Sequence, residues 1–190
     1  MSRLSLRPMQ IACLIIGSAM LTIQANSATA QEFNLAEPSQ SDEILIIEPS
    51  DSGRSIYAYS SSKGRWDKLT ANPHPVNGLV PLNTASFAVV RGDQQLHGFS
   101  LAKGRWTSIN TDGEPSPVVV SSRIAASTAG TFLYGFSPKS GQWSNIDVKA
   151  VIEPARLEVG RGYIRYRDGS RVFVFSTAAD KWASVDLAVD

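Results

Sequence analysis

Short apolar runs alternate with polar, glycine-containing turns along most of the chain, and this pattern predicts β-strands. The first clear pair of runs is 44–47 and 56–59, which flank a cluster of Ser, Asp and Gly at 50–54. The same arrangement of two apolar runs around a turn returns at 87–99, 124–136 and 163–175. Such runs are typical of β-hairpins. No stretch beyond residue 30 has a convincing helical period, so the predicted fold class is all-β.

A longer motif identifies the unit that repeats, and we name it the repeat motif. Each copy has an aromatic residue, a serine directly after it, a polar turn, and a tryptophan seven positions after the aromatic residue. The tryptophans are 40, 37 and 39 residues apart, and a period in this range indicates an array of one supersecondary unit. We expect four equivalent, buried pairs in the core of the repeat: Tyr59/Trp66, Phe99/Trp106, Phe136/Trp143 and Phe175/Trp182.

Two further short strands complete each unit. An apolar residue follows each tryptophan at the third position, and a further apolar stretch comes after a proline-containing link. Large side chains on one face of the strand that enters the motif, and small ones on the other, suggest sheets packed closely face to face. Four-stranded units of about forty residues are typical of propeller blades. We therefore predict a small β-propeller of about four blades within 42–190, with units at 42–71, 77–111, 116–149 and 155–187.

The repeat motif resembles the kelch repeat, in which an aromatic residue ends one strand, a polar turn follows and a tryptophan opens the next strand. The segments 99–106 and 136–143 share that spacing, and Pro138 stands two positions after its aromatic residue. The period is shorter than the roughly 50 residues of kelch units. Single glycines also replace the paired glycines of the kelch strand: Gly92, Gly130 and Gly169. The resemblance implies a kelch-like propeller.

The first thirty residues have the pattern of a secretory signal peptide. Arg3 and Arg7 precede an apolar stretch of thirteen residues at 11–23, and an Ala-Thr-Ala sequence ends at Ala30. Thirteen residues are fewer than the roughly 17 to 25 that a membrane-spanning helix requires. We therefore expect a signal peptide at 1–30 with cleavage after Ala30, a leader at 31–41, and a secreted or periplasmic protein without membrane insertion.

Composition narrows the classes of partner. Without the signal peptide, Lys and Arg fall from 18 to 16 against 17 Asp and Glu, so the net charge becomes about −1. A chain with this balance has no general basic field for nucleic acid or an anionic membrane. The single cysteine, Cys13, leaves with the signal peptide, so the mature chain can form neither a disulfide nor a thiolate metal site.

Candidate catalytic and metal-ligating residues are few. Two histidines, His74 and His97, cannot supply the three or four ligands of a zinc site, and His97 occupies an aromatic position of the repeat as a half-buried ring. One aspartate per hairpin turn falls short of the oxygen ligands that calcium needs. The motif serines recur four times, whereas a nucleophile would be unique, so we expect them to satisfy turn backbone groups. The sequence predicts no metal, no cofactor and no catalytic residue.

One basic cluster departs from the repeat. Arg161, Arg165, Arg167 and Arg171 crowd the last hairpin, where Arg165 and Arg167 share a strand face with Tyr163. Guanidinium groups suit carboxylates, sulfates and phosphates. The candidate ligand-binding residues are therefore Tyr163, Arg165, Arg167 and Arg171, and the alternative is an ordinary exposed outer face.

Three functions are compatible with these features. The favoured one is an exported, non-enzymatic binding or scaffold module whose loops or central opening contact a protein or a glycan. The second is a hydrolase or lyase with a site at the ring centre, such as Asp147 or Glu153 with Tyr163. The third is a structural role, in which the units close on themselves as a monomer or pair with other copies as a homo-oligomer.

Overall fold

The computed structural model of the protein describes residues 43–72 and 79–188. The predicted signal peptide at 1–30, the predicted leader at 31–41 and His74 lie outside the described residues. Within the described ranges the chain forms β-strands, turns and one short 3-10 helix, Pro154–Arg156. The predicted all-β fold class is therefore confirmed.

The strands form four antiparallel sheets, which we name blades 1 to 4 in chain order. Blade 1 contains β1 (Leu45–Pro49), β2 (Ser55–Ser60) and β3 (Arg65–Thr70). Blade 2 contains β4 (Pro81–Asn83), β5 (Phe87–Arg91), β6 (Gln95–Ser100) and β7 (Arg105–Asn110). Blade 3 contains β8 (Val119–Ser121), β9 (Ile124–Ala129), β10 (Phe132–Ser137) and β11 (Gln142–Asp147). Blade 4 contains β12 (Glu158–Val159), β13 (Tyr163–Asp168), β14 (Arg171–Ser176) and β15 (Lys181–Asp186).

The repeat motif forms the hairpin between the last two strands of each blade. The aromatic residue and the tryptophan of the motif face each other across that hairpin. In blade 2, for example, the ring centroids of Phe99 and Trp106 are 5.4 Å apart. Asp180 in blade 4 takes the left-handed conformation in this turn, which aspartate tolerates better than most residues do. In the other blades a glycine adopts that conformation: Gly64, Gly104 and Gly141.

The middle hairpin of blade 2 differs from the turn predicted from the sequence. The corresponding glycines of the other blades have positive φ as expected, but in blade 2 Gln94 takes this conformation instead, with φ of 48°. A Cβ atom on Gly92 would lie 2.9 Å from Nε2 of His97 and 3.1 Å from the carbonyl oxygen of Asn72. Gly92 is therefore required by close packing rather than by a left-handed backbone.

Neighbouring blades pack face to face through the same pair of faces at every join. One blade presents a small residue, and the next blade presents the aromatic residue of its motif. A Cβ atom on Gly98 would lie only 2.4 Å from the nearest ring carbon of Phe136, so the missing side chain lets this ring reach the backbone. The three pairs are Ala58 with Phe99, Gly98 with Phe136, and Gly135 with Phe175.

The tryptophans of blades 2 to 4 lie in these joins. Trp106 packs against blade 1, Trp143 against blade 2 and Trp182 against blade 3. The Trp182 Nε1 also donates a hydrogen bond of 3.1 Å to the carbonyl oxygen of Ser144. Among the described residues no blade precedes that of Trp66, and this residue is 50% exposed. The four indoles are therefore not equivalent, contrary to the expectation from the sequence.

The motif serine links one blade to the next. Ser60 Oγ donates a hydrogen bond of 2.7 Å to the carbonyl oxygen of Leu101 in blade 2, and Ser100 Oγ donates one of 2.6 Å to Pro138 in blade 3. Ser100 also accepts a bond from the backbone within its own turn, as expected from the sequence. Ser137 is equally buried, but its hydroxyl has no hydrogen-bond partner among the described residues.

Small antiparallel sheets that pack face to face in chain order are the blades of a β-propeller. The prediction of a small propeller of about four blades with up to four strands each is confirmed. Blade 1 has three strands within the described residues, and the other blades have four.

Candidate functional site: two uncovered blade faces

Blade 1 has one face that no blade formed by residues 43–72 and 79–188 covers. Alternate residues of its strands, such as Ile56 and Ala58, are buried against blade 2. The remaining residues form what we name the open aromatic face: Ile46, Glu48, Tyr57, Tyr59, Trp66 and Lys68. Tyr57 is 37% exposed and Trp66 is 50% exposed, whereas Phe99, the counterpart of Tyr59 in blade 2, is fully buried. This face therefore has the composition of an internal join, but no blade in the described part of the chain packs on it.

Contacts within the open aromatic face hold its rings side by side. The ring centroids of Tyr59 and Trp66 are 5.3 Å apart. The Lys68 ammonium lies 5.6 Å from the ring centroid of Tyr57, within the range of a cation–π interaction. Rings that are already ordered lose little conformational entropy when a partner binds.

Blade 4 has the complementary face, which no blade of the described residues covers and which we name the open aliphatic face: Tyr163, Arg165, Arg167, Val172, Val174, Ser176 and Val185. Val185 is 54% exposed and Tyr163 is 47% exposed. Ser176 is partly exposed, while its counterparts in the other three blades are fully buried. Val174 stands where the internal joins have alanine or glycine, so the slot that receives an aromatic ring in those joins is filled here.

The four residues predicted to bind an anion do not all lie on one face. Tyr163, Arg165 and Arg167 share the uncovered side of blade 4. Arg171 belongs to the opposite side, where its guanidinium carbon lies 5.6 Å from the ring centroid of Phe173.

Each of the three arginines also has a partner within the chain. Arg165 forms an ion pair of 3.0 Å with Glu158. Arg167 donates a hydrogen bond of 2.9 Å to the carbonyl oxygen of Gly169. Arg171 donates one of 2.8 Å to the carbonyl oxygen of Val148. Binding of an anion by this set stays a prediction, and such an anion would compete with these contacts.

The carboxylates considered for catalysis occupy local structural positions. Asp147 accepts hydrogen bonds from the side chain and the backbone of Lys149, and these bonds lower the pKa of Asp147 to about 2. A carboxyl group with that pKa is ionised near neutral pH and is a weak proton donor or acceptor there. Glu153 precedes the 3-10 helix, and its backbone N–H donates a hydrogen bond of 3.3 Å to the hydroxyl of Tyr166.

His97 is a core ring, as its position in the repeat predicts, but it is more buried than expected. The residue is 2% exposed, and its Nδ1 lies 2.7 Å from the hydroxyl oxygen of Ser108. Burial lowers the pKa of His97 to about 4, so the ring is neutral near neutral pH. Its Nε2 is buried and has no hydrogen-bond partner within the described part of the chain.

A solvent-open cleft of about 620 Å³ lies where blades 1 and 2 meet. Its lining mixes polar and apolar surface and includes one cationic side chain, that of Arg54: Arg54, Thr70, Ala71, Asn72 and Gln95. Across residues 43–72 and 79–188, no three His, Cys, Asp or Glu side chains are grouped as a metal site would require. None of the helical structure in those ranges has the length and apolarity to cross a bilayer.

No protein-family profile and no curated protein matches the sequence. Several solved structures are similar to this chain in fold. HIRA(644-1017) shares 13% identity at a TM-score of 0.41, over 72% of this chain and 47% of that one. Hsv2 of Kluyveromyces lactis shares 14% identity at a TM-score of 0.37, over 71% and 42% of the two chains. BamB from Moraxella catarrhalis shares 14% identity at a TM-score of 0.35, over 74% and 48%. The chain thus spans less than half of each of these structures.

The open aromatic face was not found from the sequence, although one signal was present. The first copy of the motif has Tyr59 where the other three copies have phenylalanine. A tyrosine hydroxyl suits a ring that meets water at one edge, and this substitution marks the blade whose aromatic face is uncovered.

Proposed function

We propose that the chain is an exported binding module that recognises a protein through its uncovered blade faces and has no catalytic activity of its own. The open aromatic face carries this proposal. Tyr57 is 37% exposed, although the same position is almost fully buried in the other blades, at His97, Tyr134 and Phe173. Contiguous exposed apolar patches mark interaction sites, and tyrosine and tryptophan are frequent among the residues that dominate binding energy.

Two features favour a protein over an anionic glycan as the partner. The open aromatic face is one side of a β-sheet that mixes rings with aliphatic Ile46, and its only charges are Glu48 and Lys68. Blade 4 carries more cations, but Arg165 is paired with Glu158 and Arg167 with a carbonyl of its own turn. Apolar surface of this kind fits the buried centre of a protein interface.

Export and kelch-like character belong to this proposal. Export is supported by the charged start, the apolar stretch at 11–23 and the small residues that end at Ala30. A kelch-like repeat is supported by the hairpin in which the motif aromatic lies near the end of one strand and the tryptophan near the start of the next, as in Phe136 and Trp143.

Site-specific photo-crosslinking in the producing cells tests the proposal. The protein would carry p-benzoylphenylalanine at position 57, on the open aromatic face, or at position 52, in an exposed hairpin turn of the same blade. We expect a protein adduct at position 57, identified by mass spectrometry, and little or none at position 52. Absence of an adduct at position 57, or equal adducts at both positions, would contradict the proposal.

A further inference from the structure

We infer that the partner of the open aromatic face is a second copy of this chain, which docks through its open aliphatic face. This inference rests on the proposed function, because it names the protein that the same surface binds. Two such head-to-tail joins would close a ring of eight blades from two chains.

The internal joins supply the first argument. At each of the three joins, the small-residue face of one blade packs on the aromatic face of the next, as Gly98 packs on Phe136. The four described blades, joined in this way, leave one face of each kind uncovered by another described blade. Docking blade 4 of one copy on blade 1 of another therefore continues an interface that the chain already uses three times.

Closure supplies the second argument. Closed propellers contain roughly 4 to 8 blades, so a ring of eight lies within the observed range. A head-to-tail contact closes into a ring when the rotation between subunits permits it, and otherwise builds open filaments. In a two-chain ring both uncovered faces of both copies are used, and the exposed Trp66 and Val185 become buried.

The serine positions supply the third argument. Ser60 and Ser100 each donate a hydrogen bond to a carbonyl oxygen of the following blade, that of Leu101 or Pro138. Each acceptor stands two residues after the motif aromatic of its own blade. The corresponding carbonyl of blade 1 belongs to Ser61. Two of the three counterparts of Ser176 make these bonds, and Ser137 does not. Ser176 is partly exposed, and in the proposed dimer it would donate to Ser61 of the second copy.

The valine at position 174 sets the separation of the proposed join. In the internal joins an alanine or a glycine admits the aromatic ring, so Tyr59 of the second copy would lie farther from the backbone at Val174 than Phe136 lies from Gly98. A join between separate chains can adopt this wider separation. Val174→Gly would reopen the slot, and we expect it to tighten the dimer several-fold.

Sedimentation of the purified mature chain over a wide concentration range tests the inference. We expect twice the chain mass for the wild type and the single-chain mass for both Val174→Arg and Tyr57→Arg. Val151→Arg is the matched control, because Val151 is 86% exposed in the link between blades 3 and 4, and this variant should keep the doubled mass. Circular dichroism would verify that each variant is folded.

Mixing the two disruptive variants tests the head-to-tail arrangement. Val174→Arg keeps an intact aromatic face and Tyr57→Arg keeps an intact aliphatic face, so a mixture can form one unaltered join and should recover the doubled mass in part. A two-fold contact between like faces would be abolished by one variant only, and that result would overturn the inference. An unchanged dissociation constant for Val174→Gly would contradict the proposed register.

The outcomes also separate this inference from the proposed function. A monomeric wild type with crosslinks from position 57 to a different protein would refute the dimer and leave the binding module in place. A monomeric wild type with no crosslink at position 57 would refute both. Mass that grows with concentration beyond two copies would refute the closed ring.

Discussion

Placing a side chain at Gly98 tests the close contact between blades 2 and 3. A Cβ atom there would lie 2.4, 2.6 and 2.8 Å from three ring carbons of Phe136, whereas carbon atoms pack at about 3.5–4.0 Å. Phe136 cannot simply move away, because it is fully buried and its ring centroid lies 5.8 Å from that of Phe87 and 5.2 Å from that of Trp143. We therefore expect Gly98→Val to force the two blades apart locally.

The magnitude follows from two opposing effects. Overpacking a well-packed core costs about 1–3 kcal/mol. Loss of the glycine's conformational freedom in the unfolded chain offsets about 0.4–1 kcal/mol of this. The net destabilisation should be about 1–2 kcal/mol, which lowers Tm by about 2–8 °C in a domain of this size.

Urea unfolding followed by tryptophan fluorescence would measure the change in the free energy of unfolding. The double variant Gly98→Val/Phe136→Leu shortens the ring that the valine meets, so its destabilisation should be smaller than the sum of the two single effects by about 1 kcal/mol. A wild-type urea midpoint for Gly98→Val would refute the close approach of the blades, and strict additivity would show that the two residues do not meet.

Two further predictions concern buried polar groups. Ser100→Ala should lower the free energy of unfolding by about 1–2 kcal/mol, because it removes a 2.6 Å hydrogen bond to the carbonyl oxygen of Pro138. Ser137→Ala should change this free energy by less than about 0.5 kcal/mol, because the Ser137 hydroxyl has no partner among the described residues. Equal urea midpoints for the two variants would contradict this difference. The pKa of His97 is about 4 in the folded protein and about 6.5 in an unfolded chain. As pH falls, the unfolded state therefore takes up the proton at a higher pH than the folded state does. The contribution of His97 to the free energy of unfolding is fully present above about pH 6.5. Up to about 3 kcal/mol of it is lost as pH falls towards 4. Unfolding midpoints measured across this range should fall less steeply for His97→Phe, and parallel curves would refute the assignment.

Much of the fold followed from the sequence because it is locally encoded. The pairing of Phe99 with Trp106, and the turn between them, depend on residues within one hairpin, and the repeated spacing specifies both. The number of blades follows from counting copies of this hairpin. The slot at Gly98 could also be anticipated, since alternation of large and small residues indicates close packing of sheets.

Contacts between blades join residues that are far apart in the sequence, so most of them could not be predicted from a single hairpin. Trp66 and Trp106 stand in copies of the same motif, yet Trp66 is 50% exposed because its blade is the first that the structure describes and Trp106 packs on a preceding blade. Gly92 matched the turn pattern, but its role is contact with His97 and Asn72, which is visible only in three dimensions. Arg165 and Arg171 are close in sequence, but the paired register of β13 and β14 sends them to opposite sides of blade 4.

The shared construction of the internal joins has a consequence for how such a chain can change in length. Because each internal join packs the motif aromatic of one unit on a small residue of the unit before it, duplication or deletion of an internal unit would leave joins of the same kind. The first unit would still have an uncovered aromatic face, and the last unit would still have the opposite kind of face uncovered. A change in the number of units during evolution would therefore alter the size of a ring without requiring a new kind of contact between its blades.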